Sequence, residues 1–206
     1  MVLRNLPLVG ALLIPTIAIG VRPLVQYLRH GNFGVHLFRA GGAAQKVRDL
    51  LLVLLIFALI AQAFVVARRG RPLPSTLVAQ GALYDFLQMA GAIVLLGGIS
   101  LFAAAQLNLG ASWRIGVDDS SKPGLVTGGL YALSRHPIFL GLLVAIAGYT
   151  AMVPTPLSLG LLICAYVGFR AQAGVEEAYL ARTYGEAAYR NYGRRVGRFV
   201  PWLGKL

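Results

Sequence analysis

The sequence predicts an all-α integral membrane protein with about five transmembrane helices. The chain of 206 residues is 57% hydrophobic and only 13% charged, whereas soluble domains carry about 25% charged residues. Its mean hydropathy is +0.70. Four stretches contain no Asp, Glu, Lys or Arg, and each is long enough to cross a bilayer. Together these values exclude a disordered chain and a water-exposed monomer.

The first three predicted helices are single uncharged runs. They cover residues 5–21, with apolar residues continuing to 28, then 50–67, and then 86–109. A membrane-spanning helix needs roughly 20 mostly apolar residues. We expect the first run to be a retained helix rather than a signal peptide, because only Arg4 precedes it and no small-residue cleavage site follows cleanly.

The fourth uncharged run predicts two helices. It comprises the 34 residues between Arg135 and Arg170, which as one helix would be about 51 Å long. Two prolines in Val153-Pro154-Thr155-Pro156 break a helix at that point. We therefore expect a short helical hairpin, roughly 137–152 and 156–171, followed by a cytoplasmic amphipathic helical segment at the carboxyl terminus.

The basic residues predict an orientation. The chain has 19 Lys and Arg against 7 Asp and Glu, a net charge of +12. In so apolar a chain this excess favours loops facing anionic lipid over nucleic-acid binding. Fourteen basic residues fall on the side of the 29–49 and 110–135 loops and the tail, against four on the other side. That side is expected to be cytoplasmic. The arginine cluster at 68–71 argues against this orientation, because it falls on the opposite side.

Several other site types have little support. The single Cys164 cannot form an internal disulfide or a Cys-rich zinc site, and we expect no metal site. Nucleotide-binding and hydrolase signatures of soluble enzymes are absent from the sequence. The polar residues concentrate in the second half, so we expect one membrane domain, 1–206, with a scaffold at 1–109 and the cofactor-binding and catalytic half at 110–206. The oligomeric state stays open.

Two motifs in the second half point to a specific chemistry. The first is the segment Leu125-Val-Thr-Gly-Gly-Leu-Tyr-Ala-Leu-Ser-Arg-His-Pro-Ile-Phe, in which the proline suits the first turn of the fourth helix. The second is Glu-Glu at 176–177, followed by Leu180, Tyr184-Gly185 and later tyrosines. Both motifs, in this order and spacing over about residues 107–203, resemble the isoprenylcysteine carboxyl methyltransferase family and the related membrane phospholipid methyltransferases.

The resemblance implies that S-adenosylmethionine binds at the cytoplasmic end of the last two helices, while the methyl acceptor enters from the lipid. Arg170 matches an arginine near the acceptor and is taken as catalytic together with Glu177. This chain departs from the family in having phenylalanine where tyrosine is usual, and Lys122-Pro123-Gly124 where a histidine is frequent. The implied cofactor-binding residues are Leu125, Val126, Tyr131, Arg135, His136, Pro137, Phe139 and Glu176.

The residue types also suit this chemistry without the resemblance. A sulfonium cation favours aromatic faces, and the ammonium and carboxylate of S-adenosylmethionine favour acids and basic side chains. A carboxylate acceptor needs orientation only, for which the guanidinium fork of Arg170 is suited. An amine acceptor would need a carboxylate such as Glu177 to take its proton. Alternatively, Arg170 extends from the end of an apolar run towards the membrane surface.

Three classes of function remain open on the sequence. The first is a methyltransferase acting on a lipophilic or prenylated substrate within membrane lipids, either on an isoprenylcysteine-like carboxylate or on a phospholipid or other amine. The second is a membrane NADPH-dependent reductase of related fold. The third is a non-catalytic scaffold or transporter, which is disfavoured because, apart from Arg22 near one end, ionisable residues deep within the predicted helices are lacking.

Overall fold

The computed structural model describes residues 2–34, 42–69, 73–113 and 124–206, and that part of the chain contains seven α-helices. The helices are α1 (Val2–Pro15), α2 (Arg22–His30), α3 (Ala43–Arg69), α4 (Ala82–Asn108), α5 (Pro137–Met152), α6 (Pro156–Tyr184) and α7 (Glu186–Arg195). A π-helical turn, Thr16–Val21, joins α1 to α2. Two 3₁₀ segments lie at Gly110–Ser112 and Gly129–Ala132. In place of strands, the described residues have one isolated parallel bridge, between Ser134 and Gly197.

Among the described residues, four helical stretches are long and apolar enough to cross a membrane. They are Leu3–His30, Ala43–Arg69, Ala82–Asn108 and Pro156–Tyr184. α5 is apolar but has 16 residues, so it extends about 24 Å against a hydrocarbon core of about 30 Å. The prediction of an all-helical membrane protein, with a short fourth helix, is confirmed.

The prediction of a short second hairpin arm is wrong. The predicted arm ends at residue 171, whereas α6 continues to Tyr184 and has 29 residues. Helix-forming residues fill the stretch after Arg170, and a charge at the end of an apolar run does not stop a helix. The stop is Gly185, which adopts a φ of 94°. The two glutamates at 176–177 therefore lie on the last turns of a long helix.

The start of α6 is held by a capping box. Thr155 Oγ1 accepts from the Ser158 amide at 3.2 Å, and Ser158 Oγ accepts from the Thr155 amide at 3.1 Å. Gln62 of α3 donates to the same Thr155 hydroxyl at 2.6 Å. These bonds satisfy backbone donors that lipid cannot satisfy, and they join α3 and α6 at the end away from the glutamates.

α4 and α5 pack with their backbones in close contact. A Cβ atom on Gly98 would overlap the backbone of Ala145, and one on Gly148 would overlap the backbone of Leu95. Gly91 on α4 and Gly141 on α5 face similarly close neighbours. Small residues permit this approach in membranes, where helix association depends on packing. The contact fixes α5, and with it the chain segment that leads into α5.

The junction of α2 with the end of α4 is a second fixed point. Arg22 is buried and donates from Nε to the Gln106 carbonyl at 3.2 Å and from Nη2 to the Gly110 carbonyl at 2.6 Å. Its guanidinium carbon lies 4.7 Å from the centre of the Trp113 ring. Carbonyls at the end of α4 and in the turn after it thus find a charged partner.

Candidate active site

A cavity of about 900 Å³ lies among α1, α3, α4, α5, α6, the 124–136 segment and α7. One part of its wall is polar and includes Gln45, Arg48, Asp49, Gln106, Tyr131, Arg135, His136, Gln172, Glu176, Tyr189 and Tyr192. The other part is apolar and includes Leu52, Leu55, Leu59, Ile146, Leu161 and Ala165. A cavity of this size with a polar and an apolar part suits an amphipathic ligand, or two ligands side by side.

The Arg-His-Pro segment is held by the carboxyl-terminal chain. The amide of Arg135 donates to the Gly197 carbonyl at 2.9 Å, and the amide of His136 donates to the Arg198 carbonyl at 3.1 Å. Pro137 follows as the first residue of α5, where its missing N–H leaves no bond unmade. Backbone pairing and the start of a helix thus position these side chains.

The turn before this segment is fixed by α4. Asn108 Oδ1 accepts from the Leu130 amide at 2.8 Å. Gly129 adopts a φ of 59°, and a Cβ there would clash with the Asn108 side chain. The glycine is needed for both the backbone angle and the space. Tyr131 follows at once, buried against the cavity.

Glu177 is the centre of a buried ion cluster. Its Oε1 accepts from Nε and Nη2 of Arg135, at 3.0 and 2.9 Å. Arg198 adds bonds from Nε to Oε1 at 3.1 Å and from Nη2 to Oε2 at 2.6 Å. The side chains of Arg135 and Glu177 are 1% and 8% exposed. Two guanidinium groups therefore hold one buried carboxylate, as buried charge requires.

Arg135 has all five of its N–H groups bonded within the protein. Besides Glu177, it donates from Nη1 to the carbonyls of Gly193 and Val196, at 3.1 and 2.6 Å, and from Nη2 to that of Gly204 at 3.0 Å. These bonds join α5, α6 and the carboxyl-terminal segment. In this arrangement Arg135 has no donor left for a ligand.

His136 lies between the two glutamates. Its Nδ1 is 3.4 Å from Glu176 Oε2, and its Nε2 is 3.4 Å from Glu177 Oε1. Burial by itself lowers the pKa of His136, but the two neighbouring carboxylates outweigh burial and raise the pKa above its usual value. The ring stacks on Phe139 at 5.5 Å, and Phe139 stacks on Phe169 at 5.1 Å. His136 is thus fixed by charge on one side and by aromatic packing on the other.

Three tyrosines complete the polar wall. Tyr192 donates to the Tyr131 carbonyl at 2.6 Å, and burial raises the pKa of Tyr192 to about 12. Burial, and then the charge of Glu176, raises the pKa of Tyr131 as well. Tyr189 Oη is buried and has no hydrogen-bond partner among the described residues. These phenols stay neutral at physiological pH, and one of them has a free hydroxyl.

α3 contributes a polar group that sequence reasoning did not identify. Arg48 donates from Nε to Gln172 Oε1 at 3.1 Å and from Nη2 to Gln45 Oε1 at 2.7 Å. Gln172 in turn donates to Glu176 Oε1 at 3.3 Å, and Gln45 donates to Asp49 Oδ1 at 2.8 Å. The polar end of α3 thus reaches across the cavity to α6. Its sequence signal is weak, because these residues precede the uncharged run and look like part of a basic loop.

Most of the sequence-predicted site residues come together. Seven line the cavity: Leu125, Val126, Tyr131, Arg135, His136, Phe139 and Glu176. Pro137 and Glu177 are buried directly behind its wall. Arg170 is exposed and is not among the described residues that line the cavity, although its neighbours Gly168 and Phe169 are. The Lys122-Pro123 pair lies outside the described residues.

Arg198 is a further site residue that the sequence analysis did not predict. It follows a basic run, Arg194-Arg195, that reads as a solvated tail, and it lies 21 residues from its partner Glu177. Only the return of the chain beside residues 134–136 brings it to the cluster.

Comparison with known proteins identifies the relatives of this half of the chain. The model of the family described as "Phospholipid methyltransferase" matches residues 86–187. A probable protein-S-isoprenylcysteine O-methyltransferase of Oryza sativa is 28% identical over 125 residues, which is 58% of this chain and 64% of the relative. Protein-S-isoprenylcysteine O-methyltransferase A of Arabidopsis thaliana is 30% identical over 115 residues, 55% of this chain and 58% of the relative.

The chain therefore covers less than two thirds of the length of these relatives. The matched region contains the Arg-His-Pro segment, α5 and the glutamates of α6. The resemblance inferred from the two motifs is confirmed. Residues 86–187 of the chain are similar to the phospholipid methyltransferase family.

Proposed function

We propose that this protein is a membrane methyltransferase that uses S-adenosylmethionine and acts on a lipophilic acceptor. The observation that carries the proposal is the cavity, which joins a charged, aromatic end around His136 and Glu176 to an apolar end between α3 and α6. A water-soluble donor and a lipid-soluble acceptor need such a pair of environments side by side. The similarity of residues 86–187 to the phospholipid methyltransferase family supports this reaction class.

The residues of the polar wall fit S-adenosylmethionine. Gln106 Nε2 and Tyr189 Oη are buried without a hydrogen-bond partner among the described residues, and both residues line the cavity. Buried polar atoms without partners are costly, so they favour a ligand that pairs with them. Glu176 offers a carboxylate to an ammonium, and the Tyr131 and Phe139 rings offer faces to a sulfonium. Bound there, the cofactor supplies an activated methyl group.

For the acceptor, we propose an isoprenylcysteine-like carboxylate. The relatives from Oryza sativa and Arabidopsis thaliana carry this substrate in their names. A carboxylate is already a nucleophile, so the protein needs only to hold it in line with the donor and to exclude water. The apolar walls contributed by α3 and α6 would take the prenyl chain.

A second candidate is a phospholipid amine, which the description of the matched family favours. An ammonium must lose a proton before it can attack. Glu177 is poorly suited to accept that proton, because two arginines occupy its oxygens. Glu176 lines the cavity beside His136 Nδ1, so we assign the proton to Glu176 in this case.

Arg135, Glu177 and Arg198 are proposed as positioning residues. Their mutual bonds hold the Arg-His-Pro segment against α6 and the carboxyl-terminal chain. Cofactor contact is assigned instead to His136, Glu176 and the tyrosines, which have groups directed at the cavity.

Arg170 was predicted to hold the acceptor, but its exposed place on α6, outside the cavity lining, favours the alternative of a side chain extended towards the membrane surface. We expect Arg170→Ala to keep turnover within about twofold, because loss of a solvated charge usually changes little. A loss of turnover with unchanged affinity for S-adenosylmethionine would instead support the prediction that Arg170 holds the acceptor.

We also propose that the polar end of the cavity faces the cytoplasm. The basic residues of the 29–49 and 110–135 segments and the tail outnumber those on the other side by fourteen to four. Membrane-impermeant labelling of cysteines introduced at the exposed positions 46 and 205, in inside-out and right-side-out vesicles, tests this. Labelling of either position from outside would contradict it.

Calorimetric titration of the purified chain in detergent tests the cofactor. S-adenosylmethionine should bind saturably, and NADPH should not. His136→Ala should weaken the S-adenosylmethionine affinity at least about tenfold, the loss of one charge-assisted contact. Saturable NADPH binding without S-adenosylmethionine binding would instead support a reductase.

A further inference from the structure

We propose that Arg48 of α3, held by Gln45 and Gln172, binds the anionic head group of the lipophilic acceptor. The term acceptor rests on the proposed methyltransferase function. The group that Arg48 would bind is a carboxylate or phosphate attached to a long apolar chain.

The first ground is the charge balance of the cavity. Arg48 and Arg135 are the two arginines among the described residues that line it, and Arg135 has every donor bonded within the protein. The two partners of Arg48, Gln45 and Gln172, present neutral amide oxygens. The carboxylates Asp49 and Glu176, which also line the cavity, accept from the amide nitrogens of these two glutamines. The glutamines thus orient the guanidinium, whose fork of donors is suited to bind an anion.

The second ground is the register of the two walls. On α3, the polar residues Gln45 and Arg48 are followed one turn later by Leu52 and then by Leu55, all lining the cavity. On α6, read towards its start, Gln172 is followed by Gly168, Ala165 and Leu161. Because α3 and α6 run antiparallel, both walls change from polar to apolar at the same depth. A ligand with one charged end and an apolar chain matches this change.

The third ground is the separation of Arg48 from the cofactor side. Gln172 lies between Arg48 and Glu176, accepting from the first and donating to the second. Glu176 in turn adjoins His136. An anion at Arg48 would thus lie beside the groups assigned to S-adenosylmethionine, which is where an acceptor must be.

The test compares an acid with its neutral ester. The probes are N-acetyl-S-farnesylcysteine and its methyl ester, whose binding to the full chain in detergent is measured by microscale thermophoresis. Arg48→Gln should weaken binding of the acid at least about tenfold, the worth of one charge-assisted contact, and that of the ester less than twofold. Arg48→Lys should weaken binding of the acid less than Arg48→Gln does, because an ammonium keeps the positive charge but lacks the parallel donors of the guanidinium.

Arg68→Gln is the matched control, since Arg68 lies near the other end of the same helix and packs over Phe64. It should leave the binding of both probes unchanged. Phosphatidylethanolamine in place of the acid distinguishes a phosphate from a carboxylate, and the same dependence on Arg48 with either lipid supports the proposal.

Equal weakening of acid and ester by Arg48→Gln would show a structural role and overturn the proposal. Unchanged binding of the acid in Arg48→Gln would also overturn the proposal. A loss of S-adenosylmethionine affinity in that variant would overturn it as well, because it would place Arg48 on the cofactor side. Should Arg48→Gln fail to fold, Arg48→Lys decides between the same outcomes. Because binding is measured without turnover, a protein that binds the acid through Arg48 yet transfers no methyl group rejects the methyltransferase function alone.

Discussion

At the scale of single residues, the site depends on how one buried carboxylate is neutralised. Glu177 is held by Arg135 and Arg198 and lies behind the cavity wall, whereas Glu176 lines the cavity. Two adjacent acids on one helix thus serve different purposes, since successive residues point about 100° apart. One fixes the fold around the cavity, and the other is available to a ligand.

The variant Glu177→Gln should therefore destabilise the protein strongly. It leaves two guanidinium groups without their carboxylate, and breaking a buried pair costs roughly 3–5 kcal/mol. Chemical denaturation in detergent measures the loss. Glu186→Gln is the control, since the Glu186–Arg190 pair is exposed and such pairs contribute about 0.3–0.5 kcal/mol. Equal effects of the two variants would contradict the assignment of Glu177.

The pH dependence of stability should report His136. Its pKa is raised in the folded protein, so its charged form stabilises the fold below the unfolded pKa of about 6.5. This contribution is lost as the pH rises through the raised pKa. The difference in midpoint of thermal unfolding between the native chain and His136→Gln should accordingly shrink from about pH 5.5 to pH 9. A difference that grows with pH would show that His136 is neutral when folded.

Tyr189→Phe should separate ligand binding from stability. The Tyr189 hydroxyl is buried and has no hydrogen-bond partner within the part of the chain that the structure describes, so removing it should leave the free energy of unfolding unchanged or slightly higher. S-adenosylmethionine affinity should fall about threefold to tenfold if this hydroxyl pairs with the cofactor. Tyr192→Phe is the contrast, since it removes a bond to the Tyr131 carbonyl and should lower stability. Unaltered affinity in Tyr189→Phe would place the cofactor away from this hydroxyl.

At the scale of helices, the close packing of α4 on α5 sets the geometry of the site. The Arg-His-Pro segment leads directly into α5, and α5 is short, so its position depends on its neighbours. Glycines of both helices face the partner backbone.

Gly148→Ala should reduce the folded yield sharply, because the added methyl group overlaps the backbone of Leu95 and a packed interface cannot absorb it. Gly97→Ala on α4 meets open space and should be neutral, or stabilising by up to about 1 kcal/mol. Size-exclusion profiles and unfolding midpoints in detergent compare the two. Similar behaviour of both variants would mean that α4 and α5 pack less closely than described.

The existence of the helices could be predicted from uncharged runs, but the length of α6 could not. The run ends at Arg170, whereas the helix ends at Gly185. The hydropathy pattern indicates which residues contact lipid, whereas the end of a helix depends on residues such as glycine or proline that interrupt it. The motif acids and the Arg-His-Pro segment were likewise predictable, because their spacing is local. Arg48 and Arg198 reach the site only through tertiary packing, which no local pattern encodes.

At the scale of the whole molecule, the cavity unites both halves of the chain. Residues 1–109 were expected to be scaffold, yet α3 provides Gln45, Arg48 and a leucine wall. We propose that residues 1–206 act as one membrane domain, in which α3 and the apolar part of α6 form the acceptor side. The 124–136 segment, the end of α6 and α7 form the cofactor side. Lipid can then supply the acceptor while water supplies the cofactor.

The most direct test of this account is the transfer of tritiated methyl groups from S-adenosylmethionine by the purified chain in lipid nanodiscs. N-acetyl-S-farnesylcysteine and phosphatidylethanolamine serve as parallel acceptors. The account predicts saturable transfer to the farnesylated carboxylate, lost in His136→Ala and kept in Arg170→Ala. Transfer to the amine alone would favour the phospholipid alternative, and cofactor binding without transfer to either lipid would contradict the central claim.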